Sequence, residues 1–163
     1  PTALQVTREA SHPNVKPMFD FYHFWAGLSK FEDLEEIRPG EIHHVHFQDV
    51  PRMPRELLDG TTRAIPGEGA APLERILRAL RKKGYAGPLS VELFYPHLQK
   101  GDPYEVALRI RRSSEPVTLA APSLPTTMPA ARLANSVAAG SSSPAASPAA
   151  SVAITVSPAP VTS

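Results

Sequence analysis

The sequence contains no cysteine among its 163 residues. Disulfide bonds, thiolate metal ligands and a cysteine nucleophile are therefore excluded. The chain also has no run of about 18 apolar residues, which is the length that a membrane-spanning helix needs. Its first residues lack the basic-then-apolar order of a secretory signal peptide. We therefore expect a soluble, cytoplasmic protein without a membrane partner.

The chain also lacks any block of charge of one sign. Its 17 basic and 16 acidic residues give a formal net charge of +1 and, apart from Arg132, are spread over residues 1–115. A nucleic-acid-binding protein usually carries a basic patch that neutralises phosphate groups. We therefore expect no nucleic-acid partner.

Charged and aromatic residues almost disappear near the C-terminus. From Pro116 to Ser163 the only charged residue is Arg132, and Ala, Ser, Pro, Thr and Val make up nearly the whole segment. Such a composition cannot bury enough apolar surface to offset the entropy lost on folding. We predict a folded part at residues 1–112 and a disordered tail at residues 113–163. The strand-forming run at residues 151–156 is interpreted as too short and isolated to join a sheet.

Three histidines lie in one predicted strand, GEIHHVHFQDV, at residues 40–50. Because side chains alternate along a strand, His44 and His46 share one face, and the apolar Val45 and Phe47 share the other. Two imidazoles on a rigid element indicate a metal or catalytic site. On spacing alone, interior histidines held by hydrogen bonds explain the pattern equally well.

The other elements alternate between strand and helix patterns. A hydroxyl followed three residues later by a carboxylate, at Ser29 and Glu32, predicts a helix start. The predicted order is a strand at Val15–Asp20, an aromatic loop at Phe21–Leu28, a helix at Ser29–Ile37, the histidine strand, a helix at Pro72–Lys83, a strand at Pro88–Phe94 and a helix that opens at Asp102. This order is typical of parallel βα units, so the predicted fold class is α/β.

Each predicted strand ends in one side chain able to bind a metal: Asp20, His46 and Glu92. The carboxyl ends of parallel strands meet at one edge of a sheet, where functional residues gather. Buried carboxylates are costly without a partner. Two carboxylates and one imidazole suit a divalent metal ion such as manganese, magnesium, cobalt or zinc. The alternative is three unrelated polar residues at strand ends.

Five motifs in this order resemble the C-terminal part of the xylose isomerase-like TIM barrel family, which includes sugar phosphate isomerases and epimerases. They are DFYH at 20–23, HVHFQD at 44–49, RAIPGEG at 63–69, GYAGPLSVELF at 84–94 and DP at 102–103. The resemblance covers about residues 12–112. It implies the last three βα units of a TIM (β/α)8 barrel.

The resemblance also implies roles for individual residues. Asp20, His46 and Glu92 resemble the family's metal ligands, and Glu92 resembles its catalytic acid and base. His23 and Arg63 are similar to residues that contact the substrate. The family has a further glutamate ligand on its fifth strand, and no residue upstream of Asp20 matches it. A TIM barrel needs about 250 residues, so we interpret the chain as a truncated fragment or as a piece that pairs with other chains.

The expected function is that of a metal-dependent isomerase or epimerase that removes a proton next to the carbonyl of a small sugar or hydroxy-keto substrate. An inosose dehydratase-type lyase is the nearest alternative. A DNA repair nuclease, with His44 and Asp49 as extra ligands, is disfavoured by the charge pattern. An inactive truncated barrel is the non-catalytic alternative, and assembly into oligomers is left open.

Overall fold

The structure, a computed structural model, describes residues 2–121 and the backbone of residues 152–156. The elements are α1 (Thr2–Ala10), β1 (Met18–Asp20), α2 (Phe21–Ala26), a first 3-10 helix (Phe31–Glu36), β2 (His44–His46), a second 3-10 helix (Arg55–Leu57), α3 (Leu73–Lys82), β3 (Leu89–Leu93), α4 (Pro96–Gln99), α5 (Pro103–Ala120) and β4 (Val152–Val156). Strands and helices alternate along the chain up to α5, which confirms the predicted α/β class.

The three strands β1, β2 and β3 lie side by side in chain order and run parallel. Asp20 is opposite His46 across the β1 and β2 pair, and His46 is opposite Ser90 across the β2 and β3 pair. Because register fixes which side chains share a face, the candidate residues at the strand ends are brought to the same side of the sheet.

The hydrophobic core lies on the helix-facing side of this sheet. The strands contribute Phe19, Val45 and Val91, all less than 9% exposed. The helix α3 contributes a stripe at the spacing predicted from sequence, and its members are Leu73, Ile76, Leu77 and Leu80. Burial of these side chains fixes the strand faces, since a one-residue slip would expose the apolar set and bury the polar one.

The predicted aromatic loop after β1 is wrong, because residues 21–26 form α2. The Asp20 carboxylate accepts a hydrogen bond from the backbone N–H of His23 at 2.9 Å, which caps the new helix. A side-chain acceptor at this position satisfies one of the free N–H groups of a helix N-terminus. Aromatic side chains of this segment are buried as a consequence, Phe21 completely.

The predicted helix start at Ser29 is displaced by one residue. The carboxylate of Asp33, and not that of Glu32, accepts a hydrogen bond from the backbone N–H of Lys30 at 2.8 Å. The element that follows is a 3-10 helix over residues 31–36 and does not become an α-helix. With six residues it is longer than most 3-10 helices, which rarely exceed about four residues because their hydrogen-bond geometry is poorer.

The predicted beginning of the tail at residue 113 is wrong, because α5 continues to Ala120. Ser114 is fully buried, and the last carbonyls of the helix accept hydrogen bonds from α3. Arg81 donates to the Thr118 carbonyl at 3.0 Å and Arg78 to the Ala120 carbonyl at 2.9 Å. Long-range contacts of this kind stabilise a helix whose composition alone predicts disorder.

Residues 152–156, which were expected to stay outside any sheet, form β4. The strand β4 pairs antiparallel with β3, from Leu89 opposite Val156 to Leu93 opposite Val152. The edge of β3 supplies the backbone partners that an isolated five-residue strand lacks. Residues 122–151 and 157–163 lie outside the described residues, so the disordered tail remains a prediction there.

Burial raises the pKa of Tyr85 to about 12, above its usual value of 10.0. The side chain is 7% exposed, and its hydroxyl donates to the Pro88 carbonyl. Because the folded state favours the neutral phenol, its contribution to stability is complete below pH 10 and is lost as pH rises through 12. We expect the free energy of unfolding to fall by about 2 kcal/mol more in the wild type than in Tyr85→Phe between pH 9 and 12. Urea titrations at each pH measure this difference, and equal losses in both proteins would contradict it.

Candidate metal centre

Asp20, His46 and Glu92 come together at the carboxyl ends of the three parallel strands. One potential ligand atom from each of them lies within 4.8 Å of the other two. The Nδ1 atom of His46 is 3.4 Å from Asp20 Oδ2 and 3.4 Å from Glu92 Oε2. The three side chains are only 8 to 22% exposed. The arrangement therefore has the spacing that a single ion requires, while the ligand role of each residue stays a prediction.

The Asp20 carboxylate is held by two donors. One is the backbone N–H of His23, which donates to Oδ1. The other is the side-chain amide of Gln48, whose Nε2 atom lies 3.0 Å from Oδ1 and 3.0 Å from Oδ2. Gln48 is fully buried. It was not among the site residues predicted from the sequence. The signal was present, since the alternation that pairs His44 with His46 reaches Gln48 at the next step.

The Glu92 carboxylate forms an ion pair through Oε2 with Nη1 of Arg63. Arg63 is 3% exposed, and its guanidinium lies over the rings of Tyr22 and Phe94, at 5.0 and 4.4 Å from their centroids. Its Nε atom has no hydrogen-bond partner among the described residues. Arg63 was expected to border the cluster, and it contacts one member of it directly.

The remaining histidines near the cluster are arranged differently. His23 is exposed, and its ring meets that of Tyr22 edge-on at 5.5 Å. The ring of His44 lies 5.6 Å from that of His46. Burial, followed by the charges of His46 and His43, lowers the pKa of His44. Neither His23 nor His44 belongs to the group of three ligand-type residues that the described part of the chain brings together.

Asp49 is a structural residue, which corrects its alternative interpretation as an extra metal ligand. It is 2% exposed, and its two oxygens accept hydrogen bonds from four backbone N–H groups. The donors are Val50 and Ala71 to Oδ1, at 2.9 Å each, and Gly67 and Gly69 to Oδ2, at 3.2 and 3.0 Å. Asp49 therefore fixes the path of the loop that carries Arg63 to Glu92.

The donor set fits a divalent metal ion on chemical grounds. Two carboxylates and one imidazole form a mixed oxygen and nitrogen set that binds manganese, cobalt and zinc, and the oxygens also suit magnesium. Apart from Arg63 at Glu92, the partners of the cluster are uncharged donors, so the site retains negative charge. A cation would offset the cost of holding two carboxylates close together.

The fold is that of a partial TIM barrel, and the three ligand-type residues at the strand ends form a candidate metal centre. Residues 1–114 match the model of the xylose isomerase-like TIM barrel family, and the chain belongs to this family. This result confirms the resemblance seen in the sequence motifs.

Individual relatives agree with this assignment. Inosose isomerase of Halalkalibacterium halodurans is 35% identical over 94 residues, which are 58% of this chain and 33% of that protein. 3-Dehydroshikimate dehydratase of Pseudomonas putida is 28% identical over 91 residues, or 55% of this chain and 14% of that protein. These two relatives are thus named as an isomerase and a dehydratase.

Among solved structures, the IOLI protein with a bound zinc atom has a TM-score of 0.68 and 29% identity. This match covers 75% of the present chain and 44% of the other. The chain spans between 33% and 41% of the length of the inosose isomerases that it matches. Within residues 2–121, no helix has the length and apolar character needed to cross a membrane.

Proposed function

We propose that this chain supplies the metal-binding part, and one proton-transferring carboxylate, of a sugar isomerase or epimerase. The observation that carries the proposal is the approach of Asp20, His46 and Glu92 to within 4.8 Å of one another. The family membership and the inosose isomerases among the relatives support a small sugar or hydroxy-keto compound as the substrate.

Asp20, His46 and Glu92 would hold the ion. When bound, a divalent metal polarises the substrate carbonyl and so acidifies the neighbouring carbon-bound proton. The zinc named in the IOLI structure makes zinc one candidate, beside manganese, magnesium and cobalt. Measured affinities for these four ions decide which of them this chain prefers.

Glu92 is the residue that we propose as the proton acceptor. Its side chain is 21% exposed, so a substrate can reach the carboxylate from solvent. Arg63 fixes one of its oxygens, Oε2, which leaves Oε1 to take the proton. A positioned carboxylate is the usual general base for proton removal next to a carbonyl.

His23 and Arg63 are proposed to contact substrate oxygens. The exposed imidazole of His23 lies beside the helix cap formed by Asp20. Arg63 has one N–H group, at Nε, that no group of the described residues accepts. A substrate hydroxyl or carbonyl oxygen would satisfy this buried donor.

A lyase is the second candidate, because a 3-dehydroshikimate dehydratase is among the relatives. A dehydratase can begin with the same removal of a proton next to a carbonyl and then expel water. The products separate the two candidates, since an isomerase conserves the mass of its substrate and a dehydratase lowers it by one water. The predicted cytoplasmic location and any oligomeric state remain predictions.

Asp20→Asn is expected to weaken metal binding at least about 10-fold, because it removes one ligand charge while keeping the size of the side chain. Isothermal titration of the chain with manganese, cobalt and zinc measures the affinity. Glu74→Gln is the matched control, since it removes one negative charge from an exposed position on α3. Absence of binding by the wild type, or equal affinity in Asp20→Asn, would refute the proposed centre.

A further inference from the structure

The buried side-chain amide of Gln48 contacts Asp20, although only half of the amide is hydrogen-bonded. The side chain is fully buried, and its Nε2 atom donates to both oxygens of Asp20 at 3.0 Å. Its Oε1 atom is buried without a partner among the described residues. Leaving a buried amide oxygen unpaired is unfavourable. An apolar side chain of this size would avoid that cost, so the amide at this position acts on Asp20.

The two donors to Asp20 leave its oxygens unequal. A carboxylate oxygen has about two acceptor sites. Oδ1 receives the backbone N–H of His23 and the amide of Gln48, which fills both of its sites. Oδ2 receives only the amide of Gln48 from these donors, and this oxygen lies 3.4 Å from His46 Nδ1. The acceptor site that remains belongs to the oxygen nearest the other two members of the cluster.

We infer that Gln48 is a positioning residue that turns the Asp20 carboxylate so that Oδ2 binds the metal ion through a single oxygen. The inference rests on the proposed metal centre and adds to it a residue outside the ligand set. The hydrogen bond from His23 fixes Oδ1 but allows the carboxylate plane to rotate about that contact. A second donor that reaches both oxygens restricts this rotation.

An uncharged donor suits this task. An arginine or lysine at the same place would also orient Asp20, but it would cancel the negative charge that attracts a cation. The amide of Gln48 orients the carboxylate and leaves its charge in place. Arg63 contrasts with it at Glu92, where a charged donor binds the carboxylate that we propose as the proton acceptor.

The test uses Gln48→Met, which keeps the length of the side chain and removes the donor. We expect its affinity for cobalt and manganese to fall by about 10- to 100-fold, the usual effect of losing a partner that orients a metal ligand. We also expect the visible absorption of the bound cobalt to change, because the coordination of Asp20 is no longer fixed. The midpoint of urea unfolding of the metal-free protein is expected to change little, because removal of the unpaired oxygen offsets the loss of the hydrogen bonds to Asp20.

Gln5→Met is the matched control, because Gln5 is exposed on α1. Its side-chain amide donates a hydrogen bond to Glu9 and is far from the cluster in sequence. This substitution should leave the cobalt affinity and spectrum unchanged. If the wild type binds cobalt and Gln48→Met binds it equally with the same spectrum, the inference is wrong and the proposed centre stands. A fall in affinity that is matched by a fall in the unfolding midpoint would assign Gln48 a packing role and overturn the inference. If the wild type binds no metal, the centre and the role of Gln48 both fall.

Discussion

Glu92→Gln is expected to slow the exchange of substrate protons with solvent by about 10²- to 10⁴-fold, the range found when a general acid or base is removed. The substitution keeps the size of the side chain and removes both the ligand charge and the proton acceptor. The measurement is incorporation of solvent deuterium into a ketose with excess manganese. The protein to be tested is a fusion in which five βα units of another family member precede this chain.

The same measurement is also made on this chain alone, without the five added βα units. Among the described residues, the cluster offers two carboxylates, and one of them, Asp20, is held by Gln48 and His23 and is proposed as a ligand of the metal ion. No second carboxylate is therefore placed to return the proton from the other side of a substrate. We expect little or no exchange from this chain alone, and rapid exchange would contradict that expectation.

Loss of activity in Glu92→Gln must be separated from loss of structure. The substitution leaves the guanidinium of Arg63, which is 3% exposed, without its charged partner. An uncompensated buried charge destabilises a protein strongly. The double variant Arg63→Met, Glu92→Gln removes both charges and should regain stability without regaining activity. Full activity in Glu92→Gln would remove this residue from the mechanism.

Asp49→Ala is expected to lower the free energy of unfolding by about 3 to 5 kcal/mol. The carboxylate accepts four backbone N–H groups, and hydrogen bonds to a charged acceptor contribute about 1.5 to 3 kcal/mol each, although not additively. Urea unfolding followed by circular dichroism measures the loss. Asp33→Ala is the control, because the Asp33 carboxylate accepts one backbone N–H, from Lys30. This substitution should lower the free energy of unfolding by about 1 kcal/mol.

A loss below about 1 kcal/mol in Asp49→Ala would show that the loop holds its path without this residue. The tight fit around Gly69 indicates the opposite. A Cβ atom at that position would lie 2.5 Å from Asp49 Cγ and Oδ1. The loop therefore approaches the carboxylate so closely that only glycine fits between them.

The ligand-type residues were predictable from sequence because they depend on local rules. Strand alternation, with the apolar neighbours Phe19 and Val45 pointing to the core, places Asp20 and His46 on the opposite face. The helix α3 was predictable for a similar reason, since its apolar stripe repeats at helical spacing. Both patterns are complete within a few residues and need no knowledge of distant contacts.

Other features depend on contacts between distant parts of the chain. The pairing of Arg63 with Glu92 joins residues 29 apart, and Asp49 binds the backbone of the loop that follows Arg63. The helix α2 depends on a cap from Asp20, whose side chain was considered only as a metal ligand. The strand β4 depends on the edge of β3. No local pattern contains these partners, so the sequence alone could not predict them.

The pairing of β4 with β3 makes the two edges of the sheet inequivalent. A strand has one row of backbone groups on each side, and β3 uses one row for β2 and the other for β4. A further strand that approached on that side would have to displace residues 152–156 and would bind more weakly by the free energy of that displacement. Within the described residues, the edge of β1 has no strand beside it. Among the described residues, a further strand would therefore meet no competitor beside β1, whereas beside β3 it would compete with residues 152–156.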